Sequence, residues 1–471
     1  MIKQLFIKDI KLLIRDLKFQ IFFIILVALF ILSAISSSVT YQTFSQEYQK
    51  LFNEHQDRVQ SDSDLQLINM LRLKRLISVN DTPSPSLLFS AFENYPNRIQ
   101  STVLYYQPEI SKSGLPAQTA FSLNWNFILG ILSGFIMLIM SFEAVSGEKR
   151  AGTLRLLSIY GFKRQSILWS KYISYMLLYL IIIVPPALIS MVLFFALTGT
   201  WQVSYMLRFI LIILLSIPFA SFFVFLGMFI SMAINYRNAI VMVVFIWLLF
   251  VIIIPQSANI FGKLMSPIKT SAEIEDLSTE AWGAEFAIWR EEYAYKVMSN
   301  GNMSDGLRAK AFFAADEKQN SVRQQSHTEF QKQVQTMENI AQLSPFTQFE
   351  KISEIVFDKG SYLFKYQQEN MKNTINDVKN LMIEQDNRDE TSLHLFFRNA
   401  LSDNFNPQQN GQTNFTFQKF DHPNLLFVTN TPTDTPINKT LKIIIRLIPI
   451  LLLNLLLIVG TVIKFEWLDI R

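Results

Sequence analysis

The chain has 471 residues, of which 50% are hydrophobic and 17% are charged, whereas soluble domains carry roughly 25% charged residues. It contains no cysteine, which excludes disulfide frameworks, zinc ribbons and thiol catalysis. The net charge of +4 is too small to indicate a nucleic-acid partner. Because the hydrophobic residues are concentrated in long runs, the composition predicts an integral membrane protein.

Six apolar runs are each long enough for a helix to cross a hydrocarbon core about 30 Å thick, which takes about 20 residues. They cover residues 19–38, 125–142, 172–197, 206–234, 239–255 and 443–463. We therefore predict an all-α integral membrane protein with six transmembrane helices. Residues 1–18, before the first run, are basic and amphipathic, which is typical of a helix that lies in the headgroup layer and is attracted to anionic lipid.

Lys and Arg are concentrated in residues 1–18, in residues 143–171 and in the tail, residues 464–471. Because positively charged segments are retained in the cytoplasm, this distribution predicts that both termini lie inside. Two long polar stretches, residues 39–124 and 256–442, are then extracytoplasmic inserts. Both leave the same bundle, so each raises the effective concentration of the other, and we predict that they form one mainly helical domain with some short strands in residues 400–430. Large outer segments without cysteine fit a bacterial inner membrane.

Motifs for catalysis are weak or missing in the sequence. The nearest match to a phosphate-binding loop, residues 147–153, lacks the lysine after its second glycine and follows a membrane run instead of a strand. The 4 histidines are scattered, without the close spacing of a metal site. The sequence therefore predicts no enzyme activity, no metal site and no cofactor of its own.

Few polar side chains lie within the apolar runs. The candidates to line a transport pathway are Ser33, Asn124, Asn126 and Asn454. The alternative is that each is a hydrogen-bonding contact between helices. Arg208 and Arg446 lie near the ends of their runs, where a long side chain is expected to extend to the interface.

Residues 143–171, which we call the basic segment, carry the most informative pattern. A short charged helix with apolar residues on one side is ended by a glycine and followed by a basic turn. This pattern favours a helix that lies along the membrane and docks on another protein. The alternative is an ordinary cytoplasmic loop with a positive charge.

The basic segment is similar to the corresponding part of type-2 ABC transporter permeases, in which a glutamate, a Gly-Thr-Leu stretch, a Leu-Leu-Ser stretch and an arginine follow the second span. The matching residues are Glu148, Gly152, Thr153, Leu154, Leu157, Ser158, Arg164 and Lys171. In that family this stretch forms a coupling helix that contacts a separate ATP-binding subunit, and the N-terminal amphipathic helix is a second contact. The resemblance therefore implies that these residues, together with Arg150 and Arg155, are ATPase-coupling residues.

The resemblance implies the membrane-spanning subunit of an ABC exporter, which pairs with an identical or homologous permease and with a dimer of ATP-binding subunits that binds the ATP. Two features depart from the family pattern. Tyr160 and Gly161 stand where a proline is usual, and residues 256–442 replace a short re-entrant hairpin, which indicates a subgroup with large inserts. A lipid, lipoprotein, peptide or drug-like cargo all stay open, and the alternative from another class is a receptor or scaffold with an outer sensing domain.

Overall fold

The computed structural model describes residues 2–60, 66–70, 77–80, 82–89, 98–101, 109–111, 123–233, 236–300, 305–386, 388, 418–428 and 434–467. The helices of this part are α1 (Ile2–Arg15), α2 (Leu17–Gln60), α3 (Leu67–Met70), α4 (Ser133–Ser141), α5 (Ser146–Arg150), α6 (Thr153–Ile159), α7 (Arg164–Thr198), α8 (Val203–Ala233), α9 (Tyr236–Leu248), α10 (Ile254–Met265), α11 (Ser271–Asn300), α12 (Asp305–Ala341), α13 (Pro345–Phe357), α14 (Gly360–Asp386) and α15 (Pro436–Glu466). The strands are β1 (Ile77–Asn80), β2 (Arg98–Ser101), β3 (Glu109–Ser111) and β4 (Phe427–Val428). Two π-helical stretches, Phe127–Leu132 and Leu249–Ile253, lead into α4 and connect α9 to α10.

Six helical stretches of the described chain are long and apolar enough to cross a membrane, which confirms the predicted fold class. They are Leu17–Asp57, Phe127–Arg150, Arg164–Thr198, Val203–Ala233, Asn238–Met265 and Pro436–Glu466. The first helix does not end with its apolar run, because α2 continues as one helix to Gln60. Part of the first insert is therefore a direct extension of the first span.

Helix α8 is largely enclosed by the bundle and packs against α4, α7 and α15. It is hydrophobic on all sides, which is typical of a buried helix. Its approach to α4 is close, since a Cβ atom on Gly227 would lie 2.0 Å from Ser141 Oγ. Helix α8 therefore fixes the relative positions of the helices that surround it.

The two inserts are joined through one sheet, with the strand order β3-β2-β1-β4 in the described residues. Strand β1 is antiparallel to β2, with Ile77 opposite Ser101, and parallel to β4, with Ser78 opposite Phe427. Strands β1, β2 and β3 come from the first insert and β4 comes from the second. The prediction that the inserts fold together is confirmed, and we call their described sheet and helices, from α3 to β3 and from α11 to β4, the insert domain.

One helix of the insert domain, α13, enters the adjacent end of the bundle, and we call this end the insert end. Ser344 caps the helix by accepting a hydrogen bond from Thr347 N, and Ser344 Oγ donates to the carbonyl of Phe250. On the apolar face of α13, the ring of Phe349 stacks on Phe219 of α8 at a centroid distance of 5.2 Å. The bundle therefore holds α13 by aromatic contacts as well as by its cap.

Charged residues tie the same end together. Arg208 of α8 pairs with Asp358 at 2.9 Å, and Arg446 of α15 lies 3.6 Å from Glu338 of α12. The other carboxylate oxygen of Asp358 forms an ion pair with Lys439 at 2.6 Å. The expectation that the two arginines simply extend to the interface is thus incomplete, because carboxylates of the second insert neutralise both.

Candidate functional site

The basic segment lies at the opposite end of the bundle, which we call the basic end, and is built from α5 and α6. Gly152 separates the two helices with φ +70°, and Gly161 follows α6 with φ +79°. These left-handed conformations favour glycine because it has no Cβ atom. The two glycines therefore set the sharp turns that place α6 between α5 and α7.

The start of the basic segment is fixed to the end of α8. The backbone N–H groups of Val145 and Ser146 donate to Ser231 Oγ at 3.1 and 2.9 Å. On α6, Leu154 is buried in the core with 1% exposure, and Leu157 is half-buried against the same core. Movement of the segment is consequently tied to movement of α8.

Within the basic segment, an ion pair joins α5 to the start of α7. Lys171 Nζ lies 2.8 Å from Glu148 Oε1, and the two side chains are 7% and 18% exposed. Asp9 of α1 belongs to the same group, since Ser170 Oγ donates to Asp9 Oδ2 at 3.4 Å. Burial raises the pKa of Asp9 above its ordinary value, although Lys171 opposes this shift. Lys171 therefore joins α5 to α7 through Glu148, and the adjacent Ser170 joins α1 to α7 through Asp9.

Two further contacts at the basic end involve predicted or neighbouring residues. Lys18 pairs with Glu143 at 2.8 Å, where both side chains are partly exposed. Arg164 Nη1 donates to the carbonyls of Phe465 and Glu466 at 3.3 and 2.5 Å. Arg164, predicted as a coupling residue, thus binds the carbonyl end of α15, where a cation is favoured.

The surface of α6 exposes apolar side chains. Leu156, Ile159 and Tyr160 are 53%, 71% and 74% exposed. They follow i, i+3, i+4 spacing and so share one face of the helix. The resemblance did not select these three residues, although their spacing in the sequence was sufficient to find them. An apolar face on a firmly attached helix is suited to bind another protein.

The other predicted coupling residues surround this face or support it. Arg150, Gly152 and Arg155 are exposed, whereas Thr153 is half-buried and its Oγ1 donates to the carbonyl of Glu148 at 3.3 Å. The side chain of Ser158 lies outside the described part of the structure. The residues that fix the segment and those that it presents therefore lie on different sides of α5 and α6.

The four predicted pathway residues lie at separate places. Asn454 Nδ2 donates to the carbonyl of Pro218 at 2.9 Å, which is a contact between helices as the alternative held. Asn124 Oδ1 accepts from Phe127 N at 3.0 Å at the start of the second span. Ser33 is buried within α2, and Asn126 interacts with Glu350 of α13. Of the four, Asn126 is the residue that joins a span to the inserted helix.

The fold and this site define a polytopic membrane protein with a helical segment that exposes an apolar face at one end of the bundle and a large folded domain at the other. The sequence model of the family described as ABC-2 family transporter protein matches residues 4–383. The chain therefore belongs to the ABC-2 transporter family and is a membrane permease of an ABC transporter. No curated protein matched the sequence.

Proposed function

We propose that this chain is the permease subunit of an ABC exporter and that its basic segment docks on a separate ATP-binding subunit. The single observation that carries this proposal is the exposed apolar face of Leu156, Ile159 and Tyr160 on α6. The core of a protein interface is apolar and rich in aromatic residues, and Arg150 and Arg155 supply a polar rim. Family membership favours this function over a receptor or scaffold.

The contacts at the basic end support a mechanical role. Closure of the ATP-binding subunits would push α6, and the buried Lys171 would carry the displacement to α1 and α7. The two N–H bonds to Ser231 would carry it to α8. Because these attachments are short and mostly buried, we expect the segment to move with the bundle as one body.

We also propose that both termini and the basic segment are cytoplasmic and that the insert domain is extracytoplasmic, in a bacterial inner membrane. The observation in support is the excess of Lys and Arg at the basic end. The chain has no native thiol, so single cysteines report sidedness without background. Phe330→Cys should react with an impermeant maleimide from outside, and Tyr160→Cys should not. Reversed labelling would contradict the orientation.

A second permease subunit, identical or homologous, is part of the proposal, and membrane lipid covers the remaining surface. Two spans, Asn238–Met265 and Pro436–Glu466, are largely uncovered by the rest of the chain. Only 17% and 11% of their most apolar windows are buried. These spans are therefore free to contact a partner bundle or lipid. The cargo itself is moved outward in this proposal.

The docking proposal is tested by removing the apolar face without disturbing its support. Ile159→Ser should abolish co-purification of the ATP-binding subunit and its stimulated ATP hydrolysis. The matched control is Ile437→Ser, a substitution of an equally exposed isoleucine, 79% against 71%, at the insert end. Equal co-purification and equal turnover in both variants would contradict docking through α6.

A further inference from the structure

Where α13 meets the second span lies a carboxylate that has no cation partner among the described residues. Glu350 is half-buried on α13, beside Asn126, which begins that span. The ring of Phe346, one turn earlier, is so close to Gly130 that a Cβ atom there would lie 2.7 Å from Phe346 Cε2. Glu350 is therefore placed at an aromatic and apolar junction between the inserted helix and the bundle.

The neighbouring lysine does not neutralise Glu350, because other groups already bind it. Lys351 Nζ lies 3.1 Å from Glu354 Oε2 and 3.5 Å from Glu338 Oε1, and it donates to Ser361 Oγ at 2.8 Å. Glu350 has no cation within 4.0 Å in the described chain. Burial and then the Glu354 carboxylate raise the pKa of Glu350 to about 7, although Lys351 and Asn126 oppose the shift.

Two neighbouring side chains leave hydrogen-bond acceptors unused at this junction. Asn126 Oδ1 is buried and accepts no hydrogen bond from the described residues. Thr347 Oγ1 is likewise without a partner in that part of the chain, its residue is 6% exposed, and it precedes Glu350 by one turn on the same side of α13. Buried polar groups in proteins are normally hydrogen-bonded, so an unpaired set of this kind points to a missing ligand.

The chemistry of the set defines the ligand. A carboxylate, an amide oxygen and a hydroxyl can together accept hydrogen bonds from a group with several N–H donors and a positive charge. The ring of Phe346, packed against Gly130 beside this set, suits an apolar body attached to that group. A quaternary ammonium would satisfy the charge and leave the acceptors unpaired.

We propose that Glu350, Asn126 and Thr347 form a binding site for the protonated primary amine of an amphipathic cargo. The inference rests on the proposed transport function and narrows its cargo to molecules with an ammonium group on an apolar body. Binding in this site keeps Glu350 ionised, because a nearby positive charge favours the carboxylate. The site lies between α13 and the second span, so a change in their separation would alter its affinity.

The test measures equilibrium binding to the full chain in lipid nanodiscs, without an ATP-binding subunit. The probe is dansylcadaverine, which joins a fluorescent apolar ring system to a primary amine, and its N-acetyl derivative is the neutral control. At pH 8 the wild-type chain should bind the amine more tightly than the acetylated form. Glu350→Gln should weaken amine binding about tenfold to a hundredfold, as expected for the loss of one hydrogen bond between charged groups.

Glu369→Gln, on the exposed side of α14, is the matched control and should bind as the wild type does. Glu350→Asp retains the charge and should retain most of the affinity, which separates loss of the site from loss of the fold. Equal amine affinity in the wild type and Glu350→Gln would overturn the site, and so would a trimethylammonium analogue that binds as tightly as the amine. Because no ATP-binding subunit is present, such a failure is independent of the Ile159→Ser experiment, which tests the transport function.

Discussion

Replacing Lys171 with methionine should destabilise the chain more than any other single change at the basic end. The substitution retains most of the side-chain volume and leaves Glu148 and Asp9 as two neighbouring carboxylates without their cation. Removing one partner of a buried pair costs roughly 3–5 kcal/mol. Because the side chain of Glu148 is 18% exposed, we expect Lys171→Met to lower the free energy of unfolding by about 3 kcal/mol, the lower limit of that range.

The control comes from the same end of the molecule. Lys18 pairs with Glu143 at the same distance, 2.8 Å, but the side chains are 43% and 28% exposed. Lys18→Met should therefore cost about 1 kcal/mol or less, as for other exposed pairs. The double variant Glu148→Gln/Lys171→Met should recover part of the lost stability, because it removes one of the two unpaired carboxylates.

The assay is denaturant unfolding of the purified chain in mixed micelles, followed by tryptophan fluorescence. The reasoning is refuted if Lys171→Met is no less stable than Lys18→Met, or if the double variant is less stable than Lys171→Met alone. Either result would mean that Lys171 is not the cation that neutralises the carboxylates at the basic end.

Three further predictions concern packing and charge elsewhere in the molecule. Gly227→Ala should lower the free energy of unfolding by about 1–3 kcal/mol, because the new Cβ would overlap Ser141. Gly283→Ala, on the exposed surface of α11, is the control: its Cβ would meet no atom within 4 Å, so it should raise the free energy of unfolding by about 0.5–1 kcal/mol. Burial raises the pKa of Asp316 to about 6, so the native state binds a proton that the unfolded state releases above pH 4, and stability falls as the pH rises from 4 to 6. Asp316→Asn should abolish that slope and stabilise the chain by about 2 kcal/mol at pH 7, with no gain below pH 4; an unchanged pH profile would contradict this. Asp358 has φ 53° and pairs with two cations. Because asparagine also tolerates this φ, Asp358→Asn removes the charge without straining the backbone and should lower stability by about 1.5–3 kcal/mol. Thermal unfolding measures this loss, and an unchanged stability would contradict the two ion pairs.

The spans and the basic segment could be predicted because their signals are local. An apolar run of about 20 residues has few alternatives to a membrane helix. Glycines at positions 152 and 161 and the apolar spacing of α6 are likewise visible within a short window. The joint domain was predicted from tethering, but the register of β1 with β4 depends on backbone pairing between residues about 350 positions apart in the chain, for which the sequence carries no local signal.

The inserted helix α13 shows where sequence reasoning reaches its limit. The sequence predicts only that this segment belongs to a mainly helical insert, and no pattern in it selects Glu350. In the structure, however, its apolar face packs on α8, and α12 and α14 supply partners for its polar face. The chemical character of Glu350 follows from what surrounds it, because a glutamate on a solvated helix would have an ordinary pKa and no acceptors beside it. Burial and long-range contacts decided this site, and neither is present in a window of sequence.

Helix α8 links the two ends that the proposals concern. Ser231, near its last residues, holds the basic segment, and Phe219, near its middle, stacks on α13. Pro218 immediately precedes Phe219, lacks an N–H group and accepts a hydrogen bond from Asn454 Nδ2 through its own carbonyl, so α8 is most easily bent beside the Phe219 contact. A displacement of the basic segment that bends or tilts α8 must therefore shift Phe219 and, through it, α13. Since Glu350 lies on α13 and Asn126 begins the second span, the same movement would change the distance between these two residues of the proposed amine site, so packing alone would connect the proposed docking face at one end to the proposed site at the other.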